Sequence, residues 1–180
     1  GQVRAKARDL GLPVAEKKES QEICFIPDNN YPRFLADYLS AEKGTGPILD
    51  RRGNILGTHQ GIVSYTIGQR KGLGIAAPQP LYVLAIDVEK NAVIVGQKEE
   101  AYGSKLIATD VNWISGEALT EPIRAMARIR YNMPDSPAAV TPLPDGRVAV
   151  LFDQPQFAIT PGQSVVFYQD GLLLGGATIT

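Results

Sequence analysis

The sequence predicts a mainly β protein with minor α content, in which a small β-rich central domain precedes a C-terminal antiparallel β-barrel. Three observations carry that prediction. Eighteen Gly and thirteen Pro among 180 residues are too many helix breakers for a helical bundle and suit short elements joined by turns. The second half runs as short apolar or alternating segments separated by Pro144-Asp145-Gly146, Thr160-Pro161-Gly162 and Gln169-Asp170-Gly171. At 44% apolar and 21% charged, with net charge −1, the chain can bury a core and carries too little charge for disorder.

Taken in order, Val3, Ala7 and Leu10 recur at helical spacing before Gly11 and Pro13, which predicts the end of an amphipathic helix over 3–10. Little nearby can bury its apolar stripe and no Met precedes it, so residues 1–20 are expected to be the tail of a longer protein's N-terminal domain. The run Ile23-Cys24-Phe25-Ile26, closed by Pro27 and Asp28-Asn29-Asn30, reads as a strand ending in a turn. Tyr31, Phe34, Leu35, Tyr38 and Leu39 then repeat at helical spacing until Gly44 and Gly46. Ile48-Leu49 and Ile55-Leu56 flank Asp50-Arg51-Arg52-Gly53-Asn54 as a hairpin, and residues 81–87 and 92–95 flank Glu89-Lys90-Asn91 as a second. Six strands follow, over 106–113, 123–131, 138–143, 147–152, 164–168 and 172–179, the number and spacing of a small barrel or sandwich. A boundary near Gly103-Ser104 gives a central domain over 21–103 and a barrel over 104–180.

Several function classes are disfavoured. No apolar run reaches the ~18 residues that cross a bilayer, so a cytoplasmic protein without membrane contact is expected. A single Cys24 cannot make an intrachain disulfide, and one Cys with one His59 falls short of the usual structural zinc set. The same shortage leaves no Ser/His/Asp set to argue and weakens a stand-alone thiol enzyme of the peroxidase or hydrolase type.

Charge is unevenly distributed. Residues 51–86 contain Arg51, Arg52, Arg70 and Lys71 and no acid, and residues 122–134 contain Arg124, Arg128 and Arg130 and no acid. Along an alternating strand those three arginines share a face, so with Tyr131 they form either a footprint for a phosphate backbone and a stacked base or a solvated outer face. Gly68-Gln69-Arg70-Lys71-Gly72-Leu73-Gly74 lacks the Lys-Ser/Thr pair of a nucleotide loop; it is a candidate anion-contact loop or a tight corner with a basic tip. Cys24, between Ile23 and Phe25 and near Glu19 and Glu22, reads locally as an inert thiol, and His59 as a hydrogen-bonded turn residue.

Three segments in this order and spacing, Ser20-Gln21-Glu22-Ile23-Cys24-Phe25-Ile26, Gly57-Thr58-His59-Gln60-Gly61 and the block from Tyr65 to Ile75, resemble the tRNA-specific 2-thiouridylases. Arg128-Ile129-Arg130-Tyr131, the block from Thr160 to Tyr168 and Leu174-Gly175-Gly176 continue the resemblance, with Ala177 where a third glycine is usual. The resemblance implies an enzyme that replaces the C2 oxygen of the wobble uridine with sulfur. ATP activates that oxygen in an N-terminal domain whose Ser-Gly-Gly phosphate loop and first catalytic cysteine do not occur here, so no cofactor is expected in these residues themselves. It further implies that Cys24 receives persulfide sulfur from a donor relay protein, and that Arg130, Tyr131 and Gln163 contact tRNA. Arg70 and Lys71 are added to that surface from charge and glycine context alone. The rival reading is a non-catalytic β-barrel RNA-binding module with Cys24 in its core.

Overall fold

The computed structural model describes residues 2–16, 26, 34 and 44–180, and the chain divides into two compact units, residues 1–42 and 43–180. In the first unit, α1 (Gln2–Asp9) ends where Gly11, at φ 62°, returns its N–H to the Arg8 carbonyl while Leu12 returns to Ala7. The expected strand around Cys24 and the expected helix over 31–39 lie outside the described residues, apart from Ile26 and Phe34. No helix among the described residues is long and apolar enough to cross a membrane.

The second unit opens with a four-stranded sheet made by the two expected hairpins. These are β1 (Gly46–Leu49) with β2 (Ile55–His59), and β3 (Tyr82–Asp87) with β4 (Ala92–Gly96). The order is β2-β1-β4-β3, with β1 and β4 parallel. Asp50 shapes the first turn by accepting the Arg52 and Asn54 N–H groups, each at 2.8 Å, and the Asn54 side-chain amide at 2.7 Å. Ile48, Val83, Val93 and Val95 form the sheet's core with Ile62 and Leu73.

His59 is hydrogen-bonded as the sequence suggests, but it is the fully buried last residue of β2 and not a turn residue. Its Nδ1 accepts the Gly61 N–H at 3.1 Å, which leaves Nε2 as the donor to the Asn91 carbonyl at 2.8 Å. Gly46 must be glycine here, because a Cβ would lie 2.1 Å from that carbonyl and 2.7 Å from His59 Nε2.

The six remaining strands close into an antiparallel barrel. They are β5 (Tyr102–Trp113), β6 (Ile123–Arg128), β7 (Ser136–Pro142), β8 (Val148–Phe157), β9 (Ser164–Gln169) and β10 (Leu172–Ile179), in ring order β10-β5-β8-β7-β6-β9. The interior holds mostly small and branched side chains, Ala108, Ala125, Ala127, Ala138, Val140, Val150 and Val165 among them, together with Phe152 and Phe167. Several boundaries differ from expectation: β5 starts at Tyr102, four residues early and across the expected division near Gly103-Ser104, and β7 starts at Ser136. β6 stops at Arg128 because a turn closed by Met133 N–H on the Arg130 carbonyl takes over. β8 continues to Phe157 because its register against β5 jumps from Leu151 to Gln156, so Pro155 falls where no ladder N–H is required.

Phe167 is fully buried and stacks on Trp113 with ring centroids 5.4 Å apart. Phe167→Ala is therefore expected to lower unfolding free energy by about 3–5 kcal/mol, read from the midpoint shift in a denaturant titration. Asp50 is held below the ordinary carboxylate range by its hydrogen bonds to Asn54, and Asp145 by its hydrogen bonds to Arg147. A carboxylate with a depressed folded-state pKa stabilises above its unfolded value of ~3.9 and loses that contribution as pH falls through the lower folded value. Melting temperature should accordingly drop below about pH 4 and hold level between pH 5 and 7.

Candidate nucleic-acid interface

On β6 the alternation behaves as the sequence suggests. Ala125 and Ala127, and Ile129 just beyond the strand, point inward, while Arg124, Arg128 and Arg130 take the opposite parity. They do not form a free cationic stripe. Arg124 makes a bidentate pair with Asp153 on β8, with Nη1 to Oδ1 at 2.9 Å, and this hydrogen bonding holds Asp153 below the ordinary carboxylate range. Arg128 lies 3.6 Å from Asp135 and sits over the Tyr168 ring at 5.4 Å. For Arg124 and Arg128 this sides with the solvated outer face of the two alternatives, with Asp153 supplied by β8 and Asp135 by the residue before β7.

Arg130 does something else. Its Nη2 donates to the Thr160 hydroxyl at 2.9 Å and to the carbonyls of Ala158 and Ile67, both at 3.2 Å. Ala158 and Thr160 belong to the loop after β8, whereas Ile67 opens the basic loop next to the four-stranded sheet. One guanidinium thus ties three stretches of chain together. Beside it, Gly68 at φ 86° lies so close to the barrel that a Cβ would sit 2.6 Å from the Ala158 Cβ and 3.2 Å from the Phe157 ring. Phe157 makes edge contacts with Tyr82 of β3 and Tyr102 of β5, at 5.7 and 5.3 Å.

The basic loop is ordered from within. Gly68 N–H donates to the Val83 carbonyl at 2.8 Å and Val83 N–H returns to the Gln69 carbonyl at 2.9 Å, which fastens the loop to β3. The Gln69 side chain accepts the Thr66 N–H and donates to the Lys71 carbonyl. Leu73 is buried; Arg70 and Lys71 are exposed and form no ion pair among the described residues. Tyr131, directly after Arg130, is 92% exposed, the most exposed large hydrophobic side chain described. Gln163 closes the turn that Thr160 begins, its N–H on the Thr160 carbonyl at 3.2 Å, and its side chain is exposed. The structure therefore brings together the segments carrying Arg70, Lys71, Arg130, Tyr131 and Gln163. Cys24 lies outside the described residues.

Comparison with known proteins gives three family models matched in chain order. These are a tRNA methyl transferase HUP domain over residues 1–28, a tRNA methyl transferase PRC-barrel domain over 32–97, and an aminomethyltransferase beta-barrel domain over 103–179. The tRNA-specific 2-thiouridylase MnmA of Halothermothrix orenii is 54% identical over 99% of this chain and 50% of its own length. Its counterparts in Acetivibrio thermocellus and Pelotomaculum thermopropionicum are 52% and 55% identical, each over 99% of this chain and over 50% and 49% of their own lengths. The chain belongs to the tRNA-specific 2-thiouridylase family. It spans about half the length of these thiouridylase relatives.

The Ala177 that departs from the thiouridylase glycine pattern is 7% exposed and directs its methyl into the barrel core, so the departure fills space. Gly175 could not be exchanged in this way, since a Cβ there would lie 2.4 Å from the Asn112 carbonyl oxygen. Sequence reasoning missed Thr160 and Gln69. Thr160 was visible only as a residue starting a turn, and Gln69 only as a polar residue between glycine and arginine. Neither signal names its partner.

Because the Arg130 guanidinium bonds two backbone carbonyls and a hydroxyl in a half-buried setting, its removal leaves those acceptors unmatched. Arg130→Ala is expected to cost about 1.5–3 kcal/mol of stability, measured by denaturant unfolding, whatever it does to ligand binding. Arg124→Ala, removing an exposed pair, should leave the unfolding midpoint nearly unchanged.

Proposed function

We propose that this chain is part of an ATP-dependent enzyme that thiolates C2 of the wobble uridine in tRNA. In this reading Arg70, Lys71, Arg130, Tyr131 and Gln163 form a tRNA-contacting surface, and Cys24 carries the sulfur. The observation that carries the reading is the convergence at Arg130: segments bearing two exposed cations without an ion pair among the described residues, an exposed aromatic ring and an exposed amide meet at one fixed guanidinium. Cations neutralise phosphates, an aromatic face stacks an unpaired base and an amide reads a base edge, which is the chemistry a single-stranded anticodon loop requires. Support for thiolation comes from the named relatives and from the Ser20 to Ile26 segment around Cys24.

The division proposed for the chain is a tail over 1–20, a central domain over 21–103 carrying Cys24 and the basic loop, and the barrel over 104–180. At Cys24, a donor relay protein leaves a persulfide. Its terminal sulfur attacks C2, forming the C2–S bond as the activated C2–O bond breaks. A second cysteine then attacks the Cys24 Sγ; the S–S bond breaks, sulfur stays on C2 and a disulfide joins the two cysteines. This chain has one cysteine, so the second comes from residues beyond these 180.

The basic loop does not fit ATP. In the basic loop the Gly68 and Gln69 N–H groups are committed to Val83 and Thr66, and no Lys-Ser/Thr pair follows the glycines. ATP use is accordingly assigned to the rest of the enzyme, with the reaction in the cytoplasm, and the chain by itself should neither hydrolyse ATP nor thiolate RNA.

Two measurements on the full-length enzyme test the reading. Cys24→Ser should abolish 2-thiouridine formation in a mass-spectrometric nucleoside assay while tRNA binding persists; wild-type thiolation by this variant would return Cys24 to an inert role and favour the RNA-binding module. Replacing Arg70 and Lys71 together by Ala should weaken tRNA binding and reduce the slope of log K against log salt by about 1.4–1.8, since two cations no longer displace counterions. An unchanged slope would remove the loop from the interface.

A further inference from the structure

We propose that Thr160 is a positioning residue for tRNA. By holding Arg130, and through it the backbone at Ile67 and Gly68, it keeps Arg70 and Lys71 in the same footprint as Tyr131 and Gln163; the inference rests on the reading of this surface as the tRNA interface.

Thr160 supplies the only side-chain oxygen among the Arg130 partners described. Its hydroxyl donates to the Ala158 carbonyl at 2.8 Å, which fixes the direction of its lone pairs, and one of them accepts from Arg130 Nη2 at 2.9 Å. Ala158 is held at φ 53°, a left-handed backbone that an alanine adopts only when its surroundings require it, and its N–H is anchored on the Ala101 carbonyl at 2.8 Å. The loop after β8 is therefore a rigid platform.

The basic loop rests on that platform without slack. Gly68 has no room for even a methyl group against Ala158, and the Ile67 carbonyl takes the third Arg130 bond. From that point Gln69 makes the loop a single body, bracing Thr66 on one side and Lys71 on the other. A tilt at Ile67 and Gly68 must therefore move Arg70 and Lys71. With the hydroxyl removed, Arg130 Nη2 loses its shortest bond and keeps two of 3.2 Å to carbonyls, a weaker hold on the Ile67 backbone.

The test uses the full-length enzyme and an unmodified tRNA transcript with uridine at the wobble position, titrated at several salt concentrations. Thr160→Val keeps the shape and removes the hydroxyl; Thr160→Ser keeps the hydroxyl. Thr160→Val is expected to weaken binding about tenfold and to shrink the salt slope by about one, although it changes no charge, and Thr160→Ser should restore both. In the Arg70→Ala, Lys71→Ala background Thr160→Val should add a clearly smaller loss, because of the cations it positions only Arg130 remains. Where valine unfolds the turn, Thr160→Ala serves as the second hydroxyl-free variant. A lowered melting temperature with an unchanged salt slope, or equal losses with and without Arg70 and Lys71, would reduce Thr160 to a structural residue and overturn the proposal while leaving the interface intact. A salt slope untouched by losing Arg70 and Lys71 would overturn both.

Discussion

The interior of a six-stranded barrel is narrow, and β5 to β10 fill it with alanines and valines around two phenylalanines. That constraint propagates outward. Each small inward residue on β6 fixes the parity of its neighbours, so Ala125, Ala127 and Ile129 inside oblige Arg124, Arg128 and Arg130 to face away from the core. The surface chemistry of this side of the protein follows from the volume available within. An inward shift of β6 by one residue would bury three guanidinium groups and is prohibitive.

Once outside, the three arginines meet different fates, and electrostatics accounts for the difference. Arg124 and Arg128 find carboxylates and contribute little net field beyond the immediate surface. Arg130 reaches backbone oxygens and a hydroxyl, so its charge is fixed in place without being neutralised by an acid. Arg70 and Lys71, exposed and unpaired among the described residues, add to it from the neighbouring loop. Arg130, Arg70 and Lys71 thus lie on segments that meet where sheet and barrel join, and Phe157 packs across that joint against Tyr82 and Tyr102.

The strands were legible because their signals are local. Alternation and turn residues at Asp145-Gly146 and Asp170-Gly171 lie within a few positions of what they specify, and all six barrel strands and both hairpins appear, with some ends displaced by two to five residues. Parity was legible for the same reason. The pairing of Arg124 was not, since Asp153 stands 29 residues away and meets it only when the ring closes. The joint at Arg130 was hidden more deeply: its partners lie 28, 30 and 63 residues off, and two of the three are backbone carbonyls, which carry no residue-type signal at all. For Cys24 the local residues suggested an inert thiol; only resemblance across several separated segments pointed to sulfur chemistry.

The ring order has a consequence for biosynthesis. β5 pairs with β10 on one side and β8 on the other, and β9 pairs with β6 and β10, so the strand made last seals two earlier ones. Until Leu172–Ile179 has cleared the ribosome, β5 and β9 each present a bare row of amides and carbonyls to other nascent chains. A premature stop before that segment would leave a sticky open sheet for chaperones and proteases to clear, even though every residue of the seam had already been translated.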